Sequence, residues 1–176
     1  MVKIGYIVGS LAADSLNRKL AGVLVTQAPE RVQMVEVPIA ELPLYDRQLD
    51  DDFPQVMADF KAQVADVDGL VVVTPEHNQS YPAPVKNAID ILTRGGSSEL
   101  KGLKLGLAGA SPGRFGTISS QAQLRQFLPT QGVKLMGTPI LAVSVSKETF
   151  DDDGADPTTT SRAKKYIEAF TAFAES

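Results

Sequence analysis

The run Leu70-Val71-Val72-Val73 constrains the fold of this chain more than any other segment. A strand with one wet face alternates apolar and polar residues, whereas a strand apolar throughout is covered on both faces. Such strands belong to parallel sheets sandwiched between helices, and the rest of the sequence supplies the alternation that arrangement needs. Apolar stretches at Val2–Val8, Val32–Val37, Gly69–Thr74 and Leu103–Ala108 predict strands, with a fifth near Val133–Val143 that Gly137 and Pro139 interrupt.

Segments of helical period follow each strand. Ser15 suits an N-cap, and Leu16, Leu20, Val23 and Leu24 make one apolar face behind it. Phe53–Val64 predicts the second helix, with Pro54 in its first turn. A third starts at Pro84 and buries Val85, Ala88, Ile89 and Leu92; a fourth covers Ser119–Leu128. The last follows Pro157, with Ala163, Tyr166, Ile167, Phe170 and Phe173 on one side. The spacing predicts an α/β fold: a flavodoxin-like, doubly wound, five-stranded parallel sheet with helices on both faces, in one domain over residues 1–176. Right-handed crossovers bring every strand-to-helix loop to the carboxyl edge of that sheet, where ligands bind.

Composition narrows the chemistry. The 176 residues suit one domain that buries roughly 70% of its extended-chain surface. The formal net charge of −4 argues against nucleic acid, whose phosphates demand clustered Lys and Arg. No apolar run reaches the ~18 residues of a membrane span, and the start lacks a signal-peptide pattern, so a cytoplasmic protein is expected. With no cysteine, disulfides, Fe–S clusters and thiolate metal sites are excluded, and the single histidine, His77, makes no metal site alone. Redox chemistry in this chain needs an organic cofactor.

Three loops at the predicted carboxyl edge stand out. Gly9–Arg18 is neither a P-loop nor a Gly-x-Gly-x-x-Gly turn, but it sets hydroxyls and an amide beside a helix N-terminus, which favours an anion. The plainer alternative is Ser15 as an N-cap and Ser10 as a turn residue. The second, Thr74–Asp90, holds three prolines and many polar side chains, more than a connector needs. The third, Gly109–Thr117, is short in side chains, so it is either a plain turn or a backbone cradle that a flat ring can approach.

Pro75-Glu76-His77-Asn78-Gln79-Ser80-Tyr81-Pro82-Ala83-Pro84-Val85-Lys86-Asn87-Ala88-Ile89-Asp90 resembles the Pro-Glu-Tyr-Asn-x-Ser-x-Pro-Gly-x-Leu-Lys-Asn-Ala-Ile-Asp signature of the NADPH-dependent FMN reductase family, which includes quinone, chromate and azo-dye reductases. Ser15-Leu16-Asn17, Leu42–Asp46 and Gly109-Ala110-Ser111 with Gly113 and Gly116 match further family segments in the right order. The resemblance implies that Ser10, Ser15, Leu16 and Asn17 hold the FMN phosphate, that Pro75, Glu76, His77 and Asn78 line the isoalloxazine, and that Ser111 and Gly113 face its far edge. It also implies a homodimer or homotetramer, for which Tyr45, Arg94 and Arg125 are candidate contacts.

The sequence departs from that pattern at several points. An arginine common in the family is Ala12 here, with Arg18 near enough to help and Asp14 opposing it. The common tyrosine is His77, Arg-Ala-Gln is Ser119-Ser120-Gln121, and a frequent tryptophan is Ile91. Hydride transfer needs stacking and orientation rather than a protein base, so no catalytic side chain is expected and His77 is not assigned one. Glu76 suits a structural hydrogen bond, and Lys86, Asn87 and Asp90 suit loop anchoring or a subunit contact. Asp50–Asp52 and Asp151–Asp153 read as solvated carboxylates, with no metal.

The implied function is an FMN-dependent oxidoreductase passing hydride from NADPH or NADH to a small acceptor such as a quinone, free flavin, azo dye or chromate. The alternative is a flavodoxin-like electron carrier or a flavin-binding protein without nicotinamide turnover.

Overall fold

All five residues of β3 (Gly69–Val73) are buried, at the centre of a parallel sheet. The computed structural model describes residues 1–151 and 154–176. Beside β3 run β1 (Val2–Val8) and β4 (Lys104–Ser111), and β2 (Val32–Glu36) lies outside β1. Ile4 of β1 sits opposite Gly69, and Leu70 opposite Leu105.

The predicted fifth strand is two strands, β5 (Lys134–Leu135) and β6 (Leu141–Ser144), both parallel to β4. The interruption falls where Gly137 and Pro139 stand, because proline cannot donate to a ladder. Two short 3₁₀ turns, Arg47–Asp50 and Leu128–Gln131, have no counterpart in the sequence reading.

Helices α1 (Leu16–Gln27) and α5 (Pro157–Glu175) cover one face of the sheet. The other face carries α2 (Gln55–Ala65), α3 (Ala83–Ile91) and α4 (Ile118–Phe127). Alternate β3 residues serve the two layers: Leu70 and Val72 pack under α2 and α3, Val71 and Val73 under α1 and α5. Tyr166 and Phe170 of α5, both fully buried, stack with ring centroids 6.5 Å apart. Truncating such a ring costs about 3–5 kcal/mol. Pro54 is the N-cap of α2 rather than a first-turn residue, since α2 begins at Gln55.

Arg125 does not lie free for a subunit contact. Its Nη1 donates to the Met136 carbonyl at 2.8 Å, inside the break between β5 and β6. Nε and Nη2 are buried, and burial pushes the guanidinium below its usual range. Arg94 lies 5.0 Å from the Tyr45 ring centroid, and the Tyr45 hydroxyl donates to Asp50 at 2.9 Å. That bond gives one carboxylate of the Asp50–Asp52 run a structural partner. Asp152 and Asp153 of the second run lie outside the described residues.

Candidate active site

The loops after β1, β3 and β4 converge at the carboxyl edge. One side chain ties two of them together: Asn17 of α1 donates through Nδ2 to the Ala110 carbonyl at 3.0 Å and accepts the Ala110 N–H on Oδ1 at 2.9 Å. Asn17 is buried, so this pair fixes the end of β4, and with it Ser111, against the start of α1. The carboxamide assigned by resemblance to the phosphate is engaged with backbone instead.

Ser15 caps α1, its hydroxyl accepting the Arg18 N–H at 3.2 Å. A hydroxyl has one hydrogen and two lone pairs, so capping leaves its O–H free to donate. Capping and anion binding by Ser15 therefore do not compete for the same hydroxyl positions. The N–H groups of Leu16 and Asn17 have no backbone acceptor among the described residues, as expected in a first helical turn. Ser10 is half-buried beside them, and residues 11–14 are exposed.

Arg18 does not assist this loop. Its two terminal nitrogens both donate to Glu36 on β2, at 3.1 Å each. That hydrogen bonding raises the guanidinium further above its usual range. The Tyr6 hydroxyl, raised chiefly by burial, lies 3.5 Å from the same carboxylate. With Ala12 in place of an arginine, the donors around Ser10–Asn17 are uncharged.

The second loop is stiff. Thr74 is buried, and its hydroxyl donates to the Pro75 carbonyl at 2.9 Å and meets the Ser120 hydroxyl at 3.2 Å. Glu76 accepts the Ser120 N–H on Oε2 at 3.0 Å, supplying the cap that Thr117 does not give α4. Pro75 is buried, while His77 and Asn78 are exposed. His77 and Ser80 exchange two backbone hydrogen bonds of 2.9 Å around a tight turn. Both central residues are left-handed, Asn78 at φ 50° and Gln79 at φ 62°. A turn with two positive φ values favours Asn-Gly.

Asn87 anchors a fourth segment, accepting the Tyr45 N–H at 2.8 Å and donating to the Pro43 carbonyl at 2.9 Å. Lys86 and Asp90 pair with each other at 2.7 Å along α3. Lys86, Asn87 and Asp90 thus all have structural partners.

The third loop begins later than its sequence predicts, because Gly109–Ser111 pair with β6 as the end of β4. There Gly109 permits a close approach, since a Cβ would sit 2.1 Å from the Thr74 carbonyl and 2.4 Å from the Thr117 hydroxyl. Gly113 differs: its nearest neighbour would be the Ser111 hydroxyl at 3.5 Å, so its backbone faces open space. The Ser111 hydroxyl accepts the Gly113 N–H at 3.2 Å and orients it. Neutral donors at a helix start, a rigid turn and an open glycine backbone fit a flat ligand with a phosphate tail.

Sequence reasoning missed Ser120 and Gln123 of α4. Gln123 donates to the Gln79 carbonyl and accepts from the Ser80 hydroxyl, both at 2.7 Å. No pattern signals a contact that depends on how a distant helix packs.

Residues 2–148 match the family described as NADPH-dependent FMN reductase. The chain is 38% identical over 170 residues to a 2-hydroxy-1,4-benzoquinone reductase of a Burkholderia species, covering 96% of this chain and 92% of the relative. A quinone reductase of Escherichia coli K12 is 35% identical over 141 residues, covering 78% of this chain and 75% of that one. Among solved structures, the flavoenzyme NAD(P)H:(acceptor) oxidoreductase FerB of Paracoccus denitrificans superposes with a TM-score of 0.93 at 34% identity, over 99% of this chain and 98% of FerB. The chain belongs to the NADPH-dependent FMN reductase family and is an FMN-dependent NAD(P)H oxidoreductase.

Proposed function

We propose that this oxidoreductase is a quinone reductase, with NAD(P)H as donor and a small quinone as acceptor. One observation carries the choice of acceptor: 38% identity, across 96% of the chain, to a relative named for a hydroxybenzoquinone. Bound FMN supplies a ring that takes two electrons from a nicotinamide and yields them to an acceptor. The chain's own part is to hold and orient.

Ser10, Ser15 and the N–H groups of Leu16 and Asn17 hold the phosphate. Pro75, Glu76, His77 and Asn78 line the ring, and Ser111 and Gly113 face its far edge. The exposure of His77 and Asn78 supports donor and acceptor using one open face in turn. No side chain serves as an obligatory acid or base.

Residues 1–176 act as one flavin-binding unit within a homodimer or homotetramer. The 80% exposure of Leu44 and 69% of Phe115, at the same edge, support a covering subunit. NAD(P)H as donor supports a cytoplasmic setting.

Anaerobic mixing of the FMN-loaded protein with NADPH or NADH tests the reading. The flavin colour should bleach, and a benzoquinone should restore it, with parallel lines in double-reciprocal plots. A flavin that stays oxidised would make the protein an electron carrier. Intersecting lines would mean two separate stacking sites.

A further inference from the structure

Helix α4 does more than cover the sheet. Ser120 and Gln123, three residues apart and so on one side of the helix, grip both ends of the segment Glu76–Ser80. Ser120 gives its N–H to the Glu76 carboxylate at 3.0 Å and its hydroxyl meets that of Thr74 at 3.2 Å. Gln123 uses both ends of its carboxamide on the turn itself, Nε2 to the Gln79 carbonyl and Oε1 from the Ser80 hydroxyl, each at 2.7 Å.

The turn needs a brace. An L-residue in the left-handed region crowds its Cβ against the backbone, and Gln79, unlike glycine, is held there at φ 62°. Its carbonyl is fixed by Gln123, and the Ser80 N–H by the His77 carbonyl. Both peptide planes flanking the tip are thereby set. The N–H groups of Asn78 and Gln79 have no acceptor among the described residues and stand as free, pre-oriented donors.

We propose that Gln123 is a positioning residue: it holds the His77–Ser80 turn in its strained form, so that the tip presents a fixed set of backbone donors to the flavin. This rests on the reading that the flavin lies against Pro75–Asn78. Donors held at a ring edge favour one redox state over the other, so the brace sets the cofactor's reduction potential as well as its affinity.

The test uses Gln123→Ala and Gln123→Glu in the full chain, alone and with Gln79→Gly. Gln123 is exposed, so both variants should fold. The glutamate keeps an acceptor for Ser80 but sets an oxygen against the Gln79 carbonyl. In flavin-free protein, the Ser80 amide should exchange with deuterium about tenfold faster in Gln123→Ala than in wild type. With FMN, the ratio of oxidised to reduced affinity should change about tenfold, read as a shift of about 30 mV in the two-electron midpoint. Gln79→Gly removes the strain, so adding Gln123→Ala to it should change either readout by less than half as much. Unchanged Ser80 exchange, or an unchanged midpoint in an FMN-loaded variant, would overturn the proposal. Faster exchange with no FMN uptake by wild type would instead overturn the flavin reading on which it rests.

Discussion

Asn17 and Ala110, 93 positions apart, are joined by one carboxamide that donates to the carbonyl and accepts from the N–H of the same residue. Asn17→Ala would strand both buried backbone groups. The expected cost is about 2–4 kcal/mol, seen as a lower urea midpoint with unchanged slope. The ratio of FMN to riboflavin affinity should stay near wild type, because the lost contacts are to β4. A tenfold fall in that ratio would return the side chain to the phosphate.

Ser15→Ala should behave differently. Losing the cap costs about 1 kcal/mol of stability. Losing the hydroxyl's hydrogen bond to a charged group should weaken FMN roughly ten- to a hundredfold. Riboflavin, which lacks the phosphate, should bind almost as to wild type. Titration of both ligands by flavin fluorescence separates the effects, and equal losses would leave Ser15 as a cap alone.

Gly109 within β4 and Gly113 in the loop that follows it, four residues apart, should separate folding from binding. A methyl at position 109 meets the Thr74 backbone at 2.1 Å, and Gly109→Ala should destabilise by about 3 kcal/mol or prevent soluble expression. A methyl at position 113 meets nothing closer than 3.5 Å, so Gly113→Ala should keep the wild-type melting temperature within a few degrees. Its effect should appear only in flavin affinity. A large drop in melting temperature for Gly113→Ala would show that the loop's backbone is not open.

The acid limb of stability should involve Asp156. This N-cap of α5 accepts from the Thr159 hydroxyl and from the N–H groups of Thr158 and Thr159. The Thr159 hydroxyl, first among these, holds its carboxyl below the ordinary 3.8. A depressed folded pKa stabilises fully above the unfolded value and is lost as pH falls through the folded one. Asp156→Ala should cost about 1 kcal/mol near neutrality. Asp156→Asn keeps an acceptor but does not titrate, so its deficit against wild type should shrink as pH drops below 3.8. Thermal melts in that range check the slope; a constant deficit would rule out the linkage.

Much of this molecule was legible in its residues because much of it is local. Leu70–Val73 announces a doubly covered strand, Ser15 a helix start, and Gly137 with Pro139 a break in the last strand. Glu76 read correctly as a structural acceptor and Asn87 as an anchor. Asn17 did not read as a strut, nor Arg18 as the partner of Glu36, nor Arg125 as an inward-facing side chain. Each depends on a strand or helix whose distance no spacing rule encodes, and a polar residue beside a predicted phosphate loop looks the same whether it faces ligand or backbone. Gln123 was invisible for the same reason, since its partners lie on the loop after β3.

The divided strand also has a bearing on self-association. Pairing only Lys104–Leu105 and Ala108–Ser111 of β4, β5 and β6 leave two and four residues of outer strand with a proline-bearing detour between them. A foreign strand seeking a straight ladder meets no long uninterrupted rim there, and Lys134 adds a charge that would be costly to desolvate. For a parallel sheet, whose distant strands must find each other before the core closes, a broken outer edge guards the chain against templated aggregation.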